Sequence, residues 1–274
     1  MTPTDSSLPE QRLLEVYDAQ LREKAELTGA TSSDRDGPLW RGTFGSRGFV
    51  TYRDLGGLTG PALDGLITRT VESYSADLSV TSFEWKTRGH DLPADLPGRL
   101  VAHGLIAGER ETVMLGEAAL LAVEVPLPPG VRLRRIDHQP DPLPDLVRAA
   151  AAQARAFGVP VGVEELIQRL EQGRDFTEFW VAEVHGEVVS TGRLEIVPGT
   201  EFASVWGGGT VPEWRGQGLY RALTAERAKS ALRRGVRYLH SDSTEFSRPI
   251  LQRSGLVPVT TTTPFSWTRP RGKE

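Results

Sequence analysis

The 274-residue sequence contains no cysteine and no long hydrophobic run. Without cysteine the chain cannot form disulfides, thiolate metal sites or a thiol nucleophile. No apolar stretch approaches the roughly 20 residues that a bilayer-spanning helix needs. The first residues are polar and acidic, and they lack the basic and apolar regions of a secretory signal. These absences predict a cytoplasmic globular protein that has no membrane partner.

A strong excess of charge of either sign is also missing. The formal net charge is −4, with 25% charged and 38% hydrophobic residues, which is ordinary for a globular protein. Residues 1–126 hold 12 Lys and Arg against 19 Asp and Glu, whereas residues 127–274 hold 20 against 17. The more basic second half favours a polyanionic small molecule there. Nucleic-acid binding would need a larger, more clustered positive field, so we expect no nucleic-acid partner.

The Pro-rich segment at 126–130 is the clearest linker in the chain. It divides the sequence into a domain over 1–126 and a second domain over 127–274, each long enough to bury a core. The second domain alternates strand and helix patterns, which predicts a mixed α/β fold. Its expected strands are 131–136, 176–184, 187–196, 201–211, 238–243 and 257–267, and its expected helices are 143–157, 163–171, 217–234 and 248–253.

The most informative stretch is 211–223, which carries the motif R-G-Q-G at 215–218 between a strand pattern and a helical pattern. In a strand-to-helix turn, backbone N–H groups and the positive end of a helix can hold a phosphate. The glycines let the backbone approach such a ligand closely. A Walker A pattern is absent, and the third glycine of a dinucleotide fingerprint falls on Arg221. The alternative is an ordinary glycine-rich turn with a surface arginine.

This loop resembles the acyl-CoA pyrophosphate loop of the GNAT superfamily of N-acetyltransferases, whose pattern is Q/R-x-x-G-x-G/A. Residues 215–219 fit the pattern, while Tyr220 stands where the family has Gly or Ala. Residues 247–256 are similar to the family's later short helix, and the order of predicted elements over 131–268 is the family order. The resemblance implies an α/β (α+β) fold, with a GNAT-like mixed central sheet flanked by helices.

The first half contains a fainter version of the same succession. A strand at 48–52, a glycine-rich turn at 56–60, a helix at 61–78 and a strand at 82–87 precede the sequence L-x-x-x-G-L at 100–105, which recurs at 251–256. We interpret 1–126 as a smaller, degenerate GNAT-like half, as in tandem GNAT proteins. Coincidence in a six-residue pattern is the alternative. Residues 1–28 predict an amphipathic helix packed on this half.

The resemblance also implies acetyl-CoA as co-substrate, an amine acceptor that attacks it directly in a ternary complex, and no metal. In the family the pantetheine arm of CoA binds the backbone of the strand that precedes the loop, and the three glycines at 207–209 predict a bulge or a close ligand approach there. The protein is expected to be a monomer or homodimer. The residues expected to bind the cofactor are Gly209, Thr210, Val211, Arg215, Gly216, Gln217, Gly218, Leu219, Tyr220 and Ser247.

The catalytic base has several candidates. An alkylammonium has a pKa of ~10.4, so a base must remove a proton as the amine binds. Glu195 and Glu201, which flank the turn between the central strands, are compatible with the family, but each is equally explained as a solvated turn carboxylate. His240 shares a strand face with Asp242. His240 and Asp242 could act together as a proton relay. The alternative is that His240 is a buried, hydrogen-bonded structural histidine.

The general acid is also uncertain, because the family's usual Tyr in the short final helix corresponds here to Leu251. Tyr220 and Ser247 are the substitutes, although Ser247 also suits the N-cap of that helix. We therefore expect an acyl-CoA-dependent N-acyltransferase whose catalytic candidates are Glu195, Glu201, Tyr220 and His240. Two alternatives are a catalytically silent acyl-CoA-binding or sensing module, and an interaction protein that uses the scaffold without a cofactor.

Overall fold

The computed structural model describes residues 9–270 of the chain. The elements, in chain order, are α1 (Pro9–Gln20), β1 (Ser32–Asp36), β2 (Leu39–Phe44), β3 (Arg47–Thr51), α2 (Gly60–Ala76), β4 (Ser82–Arg88), α3 (Leu96–Ala102), β5 (Ile106–Ala107), β6 (Glu111–Glu117), α4 (Ala118–Leu121), β7 (Val131–Arg135), α5 (Leu143–Phe157), α6 (Val163–Gln172), β8 (Thr177–Val184), β9 (Glu187–Ile196), β10 (Phe202–Thr210), α7 (Leu219–Arg233), β11 (Tyr238–Ser243), α8 (Arg248–Arg253) and β12 (Val257–Thr268).

Every element expected in the second half is present, with ends that differ from expectation by two residues or fewer. The sequence did not predict β1, β2, β5, β6 or α4. Strand β1 has the sequence SSDRD and is exposed along most of its length, so it has no apolar alternation by which a strand could be recognised. Its strand conformation depends on pairing with β2.

The chain forms two compact units. The first contains the described residues of Met1–Val113, Asp242–Glu245 and Pro258–Glu274, and the second contains Met114–Ser241 and Phe246–Val257. The division therefore does not fall at the Pro-rich segment. The chain returns to the first unit near its end because β12 pairs along β4, from Thr262 opposite Arg88 to Thr268 opposite Ser82. The interpretation of the first half as a degenerate copy stays a prediction.

The first unit is built on a sheet of order β1-β2-β3-β4-β12, with β5 also on β12. Strands β3 and β4 are parallel and are joined through α2, whose apolar face is buried. Tyr17 of α1 is buried and its hydroxyl accepts a 2.8 Å hydrogen bond from Nε of Arg88. The expected packing of the N-terminal helix on this half is confirmed. The helix is shorter than predicted, and residues 1–8 lie outside the described range.

The repeated L-x-x-x-G-L sequence has a local physical cause. At the end of α3 the N–H of Leu105 donates to the carbonyl of Leu100, and at the end of α8 the N–H of Leu256 donates to that of Leu251, both at 3.1 Å. The intervening glycine at position 104 or 255 has positive φ. This is the Schellman helix ending, which places apolar residues at both ends of the long hydrogen bond. The repeat therefore follows from helix-end chemistry and does not by itself demonstrate duplication.

The second unit contains the mixed sheet that the sequence predicted, with the order β11-β10-β9-β8-β7. Strand β10 is parallel to β11 and antiparallel to β9. A buried carboxylate, Glu178 of β8, links three elements of this unit. It accepts hydrogen bonds from Arg135 at 3.1 Å, Ser230 of α7 at 2.9 Å and the Trp180 indole at 3.0 Å. The side chain of Glu178 is fully buried.

Replacing Glu178 by Ala should lower the free energy of unfolding by roughly 2–4 kcal/mol, because buried donors lose their acceptor. Denaturant unfolding followed by circular dichroism measures the change. Glu187→Ala, at an exposed position of the neighbouring β9, is the matched control and should change stability by about 0.5 kcal/mol or less. Equal effects of the two substitutions would contradict a stabilising role for the Glu178 network.

Candidate functional site

Strand β10 carries a bulge at its three glycines. Its register with β9 pairs Trp206 with Arg193 and next pairs Gly209 with Thr191, so β10 has one more residue than β9 across this interval. Residues 207 and 208 have no register partner on β9. The expected bulge is confirmed. A bulge bends its strand and changes the direction of neighbouring groups.

The glycines of the bulge allow close packing on both faces of β10. An ideal Cβ on Gly207 would lie 2.6 Å from Nε2 of Gln153, and one on Gly208 would lie 2.6 Å from Cε2 of Tyr220. Gln153 belongs to α5, whereas Tyr220 belongs to α7. Because successive strand residues point to opposite faces, α5 and α7 cover opposite sides of the bulge.

The edge of β10 that faces β11 is open along part of its length. Among the described residues, the register between β10 and β11 covers only Phe202 to Ser204, while pairing with β9 continues to Thr210. An unpaired strand edge presents N–H and C=O groups that can bind an extended ligand as an added strand. The open edge begins just before the bulge.

The turn after β10 uses several of its own polar groups. Val211 donates its N–H to the carbonyl of Val189, and its carbonyl accepts from Trp214, both at 3.0 Å. Arg215 donates through Nε to the carbonyl of Thr210 at 3.2 Å and through Nη2 to the carbonyl of Ala156 at 2.8 Å. Two donors of the predicted anion-binding arginine therefore brace the turn against β10 and α5.

The backbone amides that follow lie at and just before the N-terminus of α7. Gly216 and Gly218 have φ of +74° and +81°, the left-handed region that glycine adopts without strain. Arg215 donates its N–H to Pro212, and Ala222 donates its N–H to Gly218. Within the part of the chain that the structure describes, none of the amides of residues 216–221 has an acceptor. Six unpartnered amides at the N-terminus of a helix form an anion-binding arrangement.

Tyr220 lies beside both the loop and the bulge. Its ring packs against Gly208, and burial raises the pKa of its phenol, while the charge of Arg227 acts in the opposite direction. The hydroxyl is therefore protonated at neutral pH and can act as a donor.

The two predicted carboxylates lie in different places. Glu195 accepts a 2.5 Å hydrogen bond from Nε of Arg193, whose strand partner Trp206 adjoins the bulge. Glu201 is exposed and precedes the first residue of β10, where its carboxylate is 4.0 Å from Arg237. At about 3.3 Å per strand residue, Glu201 is roughly 20 Å from Gly207. Glu195 is thus the nearer of the two to the bulge.

His240 is buried and hydrogen-bonded. Its Nδ1 lies 2.9 Å from Oγ of Ser204, and the Trp206 ring meets its ring edge-on at a centroid distance of 5.4 Å. These contacts correspond to the structural-histidine alternative. The carboxylate of Asp242, the expected relay partner, accepts a 2.5 Å hydrogen bond from Nζ of Lys86. His240 pairs with Ser204, which is the last register pair between β10 and β11.

Two expectations for the end of the unit concern α8. Ser247 occupies the N-cap position, but its side chain makes no capping hydrogen bond, so the predicted cap is wrong. The reason is conformational, because Ser247 has helical backbone angles rather than the extended angles of a capping residue. Leu251 is fully buried in the core, so this position supplies no proton donor.

Three polar residues near the bulge were missed by sequence reasoning: Gln153, Arg193 and Arg227. Gln153 donates to the Gly207 carbonyl at 3.0 Å. It is buried on a helix whose other buried residues are alanine, leucine and Asp145, and a polar residue on such a mostly apolar face is the signal that could have identified it. Arg227 lies among basic residues in the sequence, so its burial gave no comparable signal.

The comparisons with known proteins agree with this geometry. Residues 146–254 match the model of the acetyltransferase (GNAT) family. The chain therefore contains a GNAT domain. The domain includes α7, the R-G-Q-G loop and the bulge. No curated protein sequence matches.

Solved structures with the GNAT fold cover nearly the whole chain. A GCN5-related N-acetyltransferase from Kribbella flavida is 16% identical, with 96% of each chain covered and a TM-score of 0.66. One from Sphaerobacter thermophilus is 17% identical, with 85% of this chain and 78% of that chain covered and a TM-score of 0.62. A tandem GNAT protein from the clavulanic acid biosynthesis pathway is 14% identical, with coverage of 99% and 97% and a TM-score of 0.61. At these identities the similarity establishes the fold.

Two further findings concern residues 9–270 as a whole. None of the helices in this range has the length and apolar character that a bilayer crossing requires. The same residues contain no group of three or more His, Asp or Glu side chains arranged to bind a metal ion.

Gly208→Ala should lower the free energy of unfolding by about 1–3 kcal/mol, because the new methyl group overlaps the Tyr220 ring. In a Tyr220→Ala background the same substitution should cost less, with a coupling energy above ~0.5 kcal/mol. A double-mutant cycle by denaturant unfolding measures both values. Additive costs would show that the ring does not press on the bulge.

Proposed function

We propose that the protein is an acetyl-CoA-dependent N-acetyltransferase that transfers the acetyl group to an amine by direct attack in a ternary complex. The observation that carries the proposal is the set of six amides at 216–221 without an acceptor among the described residues. They lie at the N-terminus of a 15-residue helix, where the helix dipole adds to the attraction for an anion. A diphosphate is the group that such a loop fits.

The pantetheine arm would extend from this loop along the open edge of β10. The carbonyls of Gly207 and Gly209 accept hydrogen bonds from Thr191 and Ser190 of β9, so they point away from that edge. Gly208 has no register partner on β9, and its main-chain groups are the ones available for the arm. Both main-chain groups of Val211 are engaged within the protein. The binding region therefore shifts from 209–211 towards 208.

The transfer chemistry needs a proton acceptor for the amine and a proton donor for the departing sulfur. When bound, acetyl-CoA supplies the thioester carbonyl that the amine attacks. Glu195 is the better-placed base of the two carboxylates because it is nearer to the bulge. Tyr220 is the proposed acid, since its protonated hydroxyl lies beside Gly208. Much of the rate would come from holding the two reactants together.

A second candidate function is a catalytically silent acyl-CoA-binding or sensing module. The observation that favours it is the buried leucine at position 251, where many family members place the acid. Release of free CoA thiol, measured across small amines, aminated antibiotics, amino acids, peptide N-termini and lysine, separates the two functions. Release with any of these acceptors excludes the silent module.

Gly218→Val should weaken binding of acetyl-CoA at least tenfold, about 1.4 kcal/mol or more, as measured by titration calorimetry. The φ of +81° strains any side-chain-bearing residue, so the amides would lose their alignment. Gly199→Val is the matched control. Gly199 also has positive φ and open space around it. It precedes the first residue of β10, whereas the loop follows the last residue, so the length of the strand separates the two turns by roughly 25 Å.

The control should bind acetyl-CoA with the parent affinity, although both variants lose stability. Equal affinity of the two folded variants would refute the loop assignment. Absence of binding by the parent protein at millimolar acetyl-CoA would remove both cofactor-dependent functions.

Tyr220→Phe should lower kcat roughly a hundredfold and leave KM for acetyl-CoA little changed, because only a proton donor is removed. Steady-state assays of thiol release measure both constants. Tyr238→Phe, at the start of β11, is the matched control and should retain kcat. An unchanged kcat for Tyr220→Phe would exclude this residue as the acid.

A further inference from the structure

Arg227 of α7 is the most deeply buried arginine of the GNAT domain, with 1% of its surface exposed. Its guanidinium donates to the carbonyl of Arg193 at 3.0 Å, to the carbonyl of Trp206 at 3.4 Å and to the hydroxyl of Thr224 at 3.0 Å. Its Nε donates to the carbonyl of Leu223 at 3.1 Å. All of these partners are neutral.

The position of the guanidinium is set by the bulge. Arg193 and Trp206 are directly opposite each other, and they form the last register pair before the strands lose register. From α7, Nη1 of Arg227 donates hydrogen bonds to the main-chain carbonyls of both residues of this pair. The guanidinium also packs against Gly192, where an ideal Cβ would lie 2.7 Å from Cζ of Arg227. The cation is therefore fixed directly beside the point at which β10 bends.

Among residues 9–270, no carboxylate pairs with the charge of Arg227. Burial lowers the pKa of the guanidinium, and the ionisable side chains that act on it among the described residues are Tyr220 and Arg193. Arg193 is itself paired with Glu195. Fully buried arginines are rare unless they are paired, and an unpaired buried cation is costly. The described partners that hold this cation are carbonyl and hydroxyl dipoles.

The charge is connected to the proposed acid along one face of α7. Tyr220, Thr224 and Arg227 are spaced i, i+4 and i+7, which places them on the same side of a helix. The Thr224 hydroxyl donates to the carbonyl of Tyr220 at 2.9 Å and accepts from Arg227. Burial raises the pKa of the Tyr220 phenol, and Arg227 counteracts this rise.

We propose that Arg227 is an electrostatic positioning residue for acyl transfer, whose unbalanced charge stabilises the anion that Tyr220 becomes when it donates its proton. This inference rests on the proposed function. In the step, the amine nitrogen forms a bond to the acetyl carbon and the carbon–sulfur bond breaks. Tyr220 gives its proton to the sulfur that leaves with the electron pair. The proton lost by the amine nitrogen passes to the base and, through solvent, returns to Tyr220.

The first test needs no cofactor. Tyrosinate absorbance during an alkaline titration, with the signal of Tyr220→Phe protein subtracted, reports the pKa of Tyr220. Arg227→Gln should raise this pKa above the parent value, because it removes the nearby cation and keeps a polar side chain. Arg233→Gln removes the same charge from an exposed position of α7 and should leave the pKa unchanged. An unchanged pKa in folded Arg227→Gln protein would overturn the proposal.

The second test uses Arg227→Lys and remains informative if Arg227→Gln does not fold. A buried lysine is charged below its pKa and neutral above it, and burial among these groups lowers that pKa. The variant should therefore show near-parent kcat at low pH and at least a tenfold loss as pH rises, a decline that the parent lacks. A merely structural role predicts a pH-independent loss or no loss, and either result would overturn the proposal.

The proposed function and the role of Arg227 can fail independently. If the parent protein does not bind acetyl-CoA, the proposed function fails whatever the tyrosine titration shows. If the parent binds and transfers acetyl groups but Arg227→Gln leaves the pKa of Tyr220 unchanged, only the role of Arg227 fails.

Discussion

The central constraint on the site is the pair of left-handed glycines between β10 and α7. Gly216 and Gly218 both have positive φ, and the helix begins immediately afterwards at Leu219. This turn leaves a continuous series of amides without acceptors in the described part of the chain, at the end of the helix where an anion is most favoured. Arg215 contributes by fixing the turn to β10 and α5. The proposed anion site thus depends on main-chain geometry that most side chains would prevent.

The bulge in β10 connects this loop to the proposed chemistry. It is stabilised from one face by Gln153 and from the other by residues of α7, which include Tyr220 and Arg227. Helix α7, whose N-terminal amides form the proposed anion site, therefore also places a phenol and a buried cation at the bulge. In the proposed function, cofactor binding and acetyl transfer both depend on β10, the loop and α7.

The sequence predicted the local structure of the second half well, because its elements have clear signals. Strand β9 follows the turn at His185-Gly186, and α8 ends in the Schellman motif at Gly255. Both elements have the bounds that the sequence predicts. The bulge was predictable from three consecutive glycines. These features depend on short-range chemistry that a few neighbouring residues determine.

Features that depend on distant contacts were not predictable. The return of β12 to the first unit follows from pairing with β4, and no local pattern indicates it. Arg227 looks like a surface residue in the sequence, yet its burial follows from carbonyls on two other strands. Ser247 fits a capping position by residue type, but its backbone is helical. Tertiary context decides these cases.

Amide hydrogen exchange of residues 216–221, with and without acetyl-CoA, tests the central claim most directly. These amides should exchange rapidly in the free protein and be strongly protected when acetyl-CoA is bound, with little change at the turn around Gly199. Protection that appears elsewhere while these six amides still exchange rapidly would contradict the assignment of the loop as the anion site.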